Sequence, residues 1–312
     1  MNHEDQSDVV VAIIAAYRPK DNLADTVRAL AEQVTHVVVV DDGSPHGSED
    51  VLTAIEAAGA TVLRQEHNAG IAATLNAGVH YAEKTWDPKY FLTLDQDSTV
   101  TGRYVELALT CLTEAGSADL EIGFVCATAY SGHPTPQLSP KLRIGGGPAE
   151  AFDPMQSGFF IPRSTWQRVG YFAESFFIDG VDSDFTMRCR DAGLRVVIGP
   201  GCTLEHDLGE RGHATLFGRR VSVFGRDISY NYHSPSRVYY ICRNGTVLSR
   251  RYALKAPGWV ARRLLEESKA HILRLLFSPG RRALAMAAAA GFRDAVNGRT
   301  GRMPASLEDR LH

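Results

Sequence analysis

Paired cysteines are the first thing this 312-residue chain lacks. Cys111, Cys126, Cys189, Cys202 and Cys242 are odd in number and widely spaced, and no C-x-x-C occurs. This argues against a zinc ribbon, a redox pair and a disulfide framework, and it fits a reducing cytoplasm. Long hydrophobic runs are missing too. The longest candidate, Ala283 to Ala290, is mostly alanine and falls well short of the roughly 20 residues a membrane span needs. Asn2 to Asp8 is polar and acidic and reads as a disordered start over residues 1–8 with no signal peptide. A charge excess is also absent. The net charge of −3 favours neither nucleic acid nor a general polyanion as partner.

That small total hides an asymmetry. From Arg250 to His312 the chain carries thirteen Lys/Arg against five Asp/Glu, about +8, which leaves about −11 for the rest. A basic tail on an acidic body suits a membrane surface or an acidic partner. The tail is expected to be helical from about Pro257, with Leu264, Leu265, Ile272, Leu275 and Leu276 forming an apolar stripe beside Arg262, Arg263 and Arg274. Such a stripe can rest on anionic lipid, giving a peripheral position at the inner face of the cell membrane. It can equally pack on the catalytic body or form a homo-oligomer contact.

The first hundred residues alternate. Val9–Ala16 and His36–Val40 are apolar, Val/Ile-rich runs of the kind that form strands buried on both faces. Thr61–Arg64 and Tyr90–Leu94 read as further strands, with helices over 21–33, 49–58 and 71–82 between them. This β-α-β-α-β-α-β order predicts an α/β fold with a doubly wound, mostly parallel sheet. Further on, 107–114, 164–169 and 182–192 read as helices, and 122–129, 157–161 and 195–198 as strands. Ser131 to Glu150 is rich in Pro and Gly without a period and is expected to be an exposed loop.

Ligands of such sheets bind beyond the carboxyl ends of the strands. Three predicted strands end there in polar groups: Tyr17-Arg18, Asp41-Asp42 and Asp95-Gln96-Asp97. Residues i and i+2 of a strand share a face, so Asp95 and Asp97 can converge on one point. Two converging carboxylates suit a hard divalent cation, Mg²⁺ or Mn²⁺, and such a cation suits a diphosphate.

The pattern resembles a known family. Val37-Val38-Val39-Val40-Asp41-Asp42-Gly43-Ser44, Asn68-Ala69-Gly70 with Leu75-Asn76-Ala77-Gly78, and Asp95-Gln96-Asp97 are similar to the inverting glycosyltransferases of family 2, which have the GT-A fold. Ser157 to Ile161 and Val169 to Asp184 resemble that family's acceptor half. His233 to Asn244 and Gly291 to Arg299 resemble, more narrowly, bacterial rhamnosyltransferases that use dTDP-L-rhamnose. The resemblance implies a catalytic domain over 9–250, with a nucleotide half at about 9–100 and an acceptor half at about 101–250, followed by the helical appendage 251–312.

It also implies a chemistry. Breaking the bond to a diphosphate builds negative charge on the leaving phosphate, which a cation held by Asp97, with Asp95 nearby, would neutralise. His206 completes the metal set as a neutral imidazole. Inversion needs a base for the acceptor hydroxyl. The family places a carboxylate where this chain reads Asp179-Gly180-Val181-Asp182-Ser183-Asp184. Many relatives have Glu-Asp where Val181-Asp182 stands here, so Asp182 is the expected base, with Asp184 the close alternative and Asp179 a weaker one. Asp182 and Asp184 can also simply cap a helix.

For the nucleotide, the end of the first strand at Ala15, Tyr17 and Arg18 offers backbone groups and a ring. Asp41 or Asp42 can accept the imide N–H of thymine or uracil. Asn68 and Gly70 open a helix whose amides can approach the donor, Gln96 lies on the same rim, and Arg211 and Arg219 can clamp diphosphate. The expected partners are dTDP-L-rhamnose or a related nucleotide sugar and a glycan or lipid-linked acceptor, with no nucleic acid. Transfer of another sugar (galactofuranose or a UDP-hexose), an inactive nucleotide-sugar-binding protein, and simple hydrolysis of the sugar nucleotide are the other readings.

Overall fold

The computed structural model describes residues 8–117, 120–139, 148–206, six short strand segments between 211 and 231, and 232–311. The expected disorder of residues 1–8 therefore lies, apart from Asp8, outside the described residues. The chain divides into two compact units: Met1–Phe177 with Val181–Asp207, and Ile178–Gly180 with Leu208–His312.

The first unit is built on a sheet of seven strands. The chain runs β1 (Val10–Ala16), α1 (Leu23–Ala31), β2 (His36–Asp41), α2 (Glu49–Ala57), β3 (Thr61–Arg64), α3 (Ile71–Trp86) and β4 (Tyr90–Asp95). It continues through β5 (Ser98–Val100), α4 (Tyr104–Ser117), β6 (Ile122–Cys126), β7 (Ala129–Tyr130), β8 (His133–Pro134), β9 (Phe159–Pro162), α5 (Arg163–Val169), α6 (Val181–Asp191), β10 (Arg195–Ile198) and β11 (Thr203–His206). The sheet order is β10-β6-β9-β4-β1-β2-β3. Strands β1, β2, β3 and β4 pair in parallel, as do β6 and β10. The expected parallel core is thus present, and β9 is the exception, running antiparallel to both β4 and β6. Val11, Ile13, Ile14, Val38, Val39 and Val40 are fully buried, because helices cover both faces of a parallel sheet.

Four short strands make a second sheet, ordered β5-β11-β7-β8. The run expected as one strand over 122–129 splits into β6 and β7, which belong to different sheets. The stretch expected as an exposed loop is partly tied down. Thr135 is buried, and Gln137 and Glu150 bridge to Ala151 and Val197; residues 140–147 lie outside the described residues.

The second unit contains α7 (Pro235–Tyr252), α8 (Pro257–Phe277), α9 (Arg281–Val296) and α10 (Ala305–Leu311). Ser234 caps α7 by accepting from the Arg237 amide, with Pro235 in the first turn. Helices α7 and α9 pack closely. A Cβ on Gly291 would stand 2.5 Å from the Tyr239 carbonyl oxygen, and the Tyr239 hydroxyl donates to the buried Asp294 at 2.9 Å. The two runs similar to rhamnosyltransferases therefore meet each other in the helical unit.

Candidate active site

Parallel pairing brings three strand ends to one rim. Ala15 is in register with Val40 and Asp95, and Ala16 with Asp41. Gln96 brackets the Tyr17 backbone: its Oε1 accepts from the Tyr17 amide at 3.0 Å and its Nε2 donates to the Tyr17 carbonyl at 3.1 Å. Arg18 sits at φ +52°, its amide held by Ser44 Oγ at 2.6 Å and its guanidinium 5.2 Å from the Tyr17 ring centre. The Tyr17 ring stays exposed, available to a planar base.

Asp41 and Asp42 are both buried, and both have internal partners. Asp41 closes its own turn, accepting from the Ser44 hydroxyl at 2.5 Å and from the Ser44 amide. Asp42 accepts from the amides of Ala69 at 2.7 Å and Gly70 at 3.1 Å. Burial raises the Asp42 carboxyl above the ordinary aspartate range, and those two amides pull it back.

The second sheet positions His206. Strand β11 runs antiparallel to β5 with His206 opposite Ser98, so His206 ends this strand. Ser98 Oγ lies 2.7 Å from His206 Nδ1. Ser157 Oγ donates to Ser98 Oγ at 2.7 Å and accepts from the Asp95 amide at 3.1 Å. These hydroxyls link the end of β4 to the imidazole and orient its ring. Asp97 Oδ1 lies 3.4 Å from His206 Nδ1. Ligand atoms of Asp95, Asp97 and His206 all lie within 4.8 Å of one another. Two carboxylates and an imidazole form a donor set that fits a divalent cation of the Mg²⁺/Mn²⁺ type.

Helix α6 separates the base candidates. Asp184 is fully buried and pairs with Arg188 Nε at 2.7 Å, while the same guanidinium donates to the carbonyl oxygens of Val169 and Tyr171. That is a buried ion pair, and it engages the carboxylate expected as the alternative base. Asp182 is only partly buried, and its Oδ1 accepts from the Ser183 amide at 2.8 Å. The negative charges of Asp182 and of Asp95 both help raise the buried Tyr130 phenol. The base candidate and a metal candidate thus act on one side chain.

The family model for glycosyl transferase family 2 matches residues 11–177. The chain belongs to this family. It is a glycosyltransferase, with Asp95 ending β4 and Asp97 in the turn that follows. It is 29% identical over 252 residues to dTDP-rhamnosyl transferase RfbF of Shigella flexneri, which covers 78% of this chain and 80% of that protein. Among solved structures, TarS of S. aureus superposes with a TM-score of 0.57 at 15% identity over 96% of this chain. This glycosyltransferase spans half the length of that TarS chain. The mannosyltransferase PcManGT of Pyrobaculum calidifontis, solved in complex with GDP-Man and Mn²⁺, superposes with a TM-score of 0.55 at 15% identity over 98% of this chain and 79% of its own. These likenesses establish a GT-A-type fold.

Other expected site residues of this glycosyltransferase take different places. The Gly70 amide is held by Asp42 and the Ile71 amide by the Phe177 carbonyl at 2.9 Å. Gly70, at φ +91°, would drive a Cβ to 2.5 Å from that carbonyl oxygen. The Gly70 and Ile71 amides, at the helix start expected to approach the donor, are thus engaged by the protein. Asn68 keeps a buried Oδ1 without a hydrogen-bond partner. Asp179 belongs to the second unit, at φ +60°, with Arg237 Nε 3.2 Å away and its carbonyl accepting from Asn244 at 2.7 Å. Arg211 and Arg219 fall in strand segments whose side chains lie outside the described residues.

The pattern also misses residues. Ser98, which orients His206, lies on a strand too short to show a period. Gln156 is buried with neither carboxamide atom hydrogen-bonded, next to the Ser157 that anchors Asp95. Such a carboxamide is a group that an ordered water, an ion or a ligand would satisfy, and no sequence signal distinguishes this Gln from a loop residue.

Proposed function

We propose that this glycosyltransferase moves L-rhamnose from dTDP-L-rhamnose to a hydroxyl of a cell-envelope glycan or lipid-linked acceptor, with inversion at the anomeric carbon. The observation that carries the catalytic reading is the approach of Asp95, Asp97 and His206 at the strand rim. The dTDP-rhamnosyl transferase RfbF, matched over 80% of its length, supports the donor. A divalent cation held by Asp97, Asp95 and His206 would supply charge neutralisation at the departing diphosphate.

The protein's own groups do the rest. Tyr17 and Arg18 line the nucleotide side, with Gln96 fixing the Tyr17 backbone. Asp182 takes the proton of the acceptor hydroxyl as its oxygen bonds to the anomeric carbon and the bond from that carbon to the diphosphate breaks. The products are the glycoside with inverted configuration and the nucleoside diphosphate.

A donor panel tests this reading. dTDP-rhamnose, UDP-galactofuranose, UDP-GlcNAc and GDP-mannose are compared by thermal shift with Mn²⁺, with Mg²⁺ and with chelator. The expected result is stabilisation by dTDP-rhamnose above the others, lost in chelator. A preference for a UDP sugar overturns the donor and favours the second reading, another family 2 transferase, since TarS has been solved with UDP-GlcNAc. Equal stabilisation in chelator overturns the metal role.

A further inference from the structure

Helix α8 is built inside out. At about 100° per residue, Leu264, Leu265, Ile272, Leu275 and Leu276 fall within one arc of about 120°, and they are 50, 72, 56, 39 and 54% exposed. Arg263, Glu267, His271 and Arg274 fall in the adjoining arc of about 80°, centred about 120° from the stripe. Arg274 is buried, and Arg263, Glu267 and His271 are partly so. A helix on a water-soluble surface turns its apolar stripe to the core and its charges to solvent. Here Trp259, Val260 and the charged arc face the unit, where Asp179 and Glu267 offset the cost of burying Arg274, and the leucines face out.

Helix α9 adds an independent observation. Its outer side presents Ala285, Met286, Ala289, Phe292 and Val296 together with Arg281, Arg282 and Arg293. Its one acid, Asp294, is fully buried. The outer side of α9 therefore carries apolar groups and arginines and no carboxylate. Leu254, 96% exposed, and the exposed Lys255 precede α8. Nine of the twelve large hydrophobic side chains with high exposure among the described residues lie between Leu254 and Val296. The concentration is local, so it is not the ordinary scatter of surface apolar groups.

We propose that α8 and α9 seat this protein on the surface of an anionic phospholipid bilayer, with the leucine stripe of α8 in the acyl boundary and the arginines of α9 at the lipid phosphates. Charge decides against a second copy as the occupant. Residues 250–312 carry about +8, and pairing two outer sides of α9 would set arginines against arginines with no carboxylate between them. Lipid phosphates supply the missing charge, and long basic side chains reach them while their stems stay in the apolar layer. No helix among the described residues is long and apolar enough to cross a membrane, so the contact is interfacial. The inference is independent of which sugar the enzyme transfers.

The full chain is sedimented with vesicles of phosphatidylcholine, alone and with phosphatidylglycerol, at low and high salt. Binding is expected only with phosphatidylglycerol and should weaken with salt. Leu265→Glu with Ile272→Glu abolishes it, and Arg281→Glu with Arg282→Glu lowers the partition coefficient by about tenfold or more. All four positions are exposed, so thermal melts should match wild type. If a variant does not fold, the wild-type comparison of the two lipids and the two salts still decides. Equal binding to both vesicle types, or binding to neither, overturns the proposal. So does a dimer in light scattering that Leu265→Glu with Ile272→Glu dissociates, which would assign the face to a second copy.

Discussion

Aspartates that are neighbours in sequence diverge in role because their surroundings differ. Asp184 is fully buried and holds Arg188; Asp182, two residues earlier, is only partly buried. Asp182→Asn is expected to leave the melting temperature and donor binding near wild type and to lower kcat by about 10²–10⁴. Asp184→Asn is expected instead to destabilise the fold by about 2 kcal/mol, because it leaves a partly buried guanidinium without its ion-pair partner. Thermal melts and donor titrations on both variants check this. Loss of turnover in Asp184→Asn with an unchanged melt would reverse the assignment. The five cysteines are all buried and free, and burial raises each thiol, that of Cys111 to about 11, which disfavours the reactive thiolate.

Element by element, legibility followed the length of the pattern. The strands β1, β2 and β4 and helix α3 are long, periodic or continuously apolar, and they lie where the residue pattern puts them. Strands β5 and β11 are three and four residues long, and only their antiparallel pairing brings His206 to Ser98. The direction of β9 was equally hidden, since an apolar run carries no orientation. The α7–α9 pair shows why small and polar residues recur in those helices. Gly291 lets the backbones approach, and Asp294 receives the Tyr239 hydroxyl. Gly291→Val is expected to cost about 1–3 kcal/mol, because its Cβ would meet a backbone carbonyl at 2.5 Å that no side-chain rotation can clear. A denaturant titration reads this directly, and an unchanged midpoint would mean the helices can separate without penalty.

For the whole molecule, one source of acid sensitivity lies in the helical unit. Burial, with Arg274 and Arg237 nearby, lowers the His233 imidazole to about 3 from an ordinary value of 6.5. Between those values the unfolded chain holds a proton on His233 that the folded chain does not. Acidification through that window therefore favours unfolding, and this part of the stability is fully present only above the ordinary histidine range. His233→Gln is expected to flatten the pH dependence of the denaturation midpoint in that window by up to one proton's worth. An unchanged slope would show that His233 is protonated in the fold.

The sequence by itself determined the alternation of strands and helices, the parallel core, the acids at the strand ends and the basic character of the tail. Each of these follows from local composition and period, which act over a few residues. Tertiary structure decided which acids stay accessible, which amides Asp42 consumes, how His206 reaches Asp97, and which side of α8 faces out. Those outcomes depend on contacts between residues far apart in the chain, where register and burial, rather than residue type, set the environment of each charge.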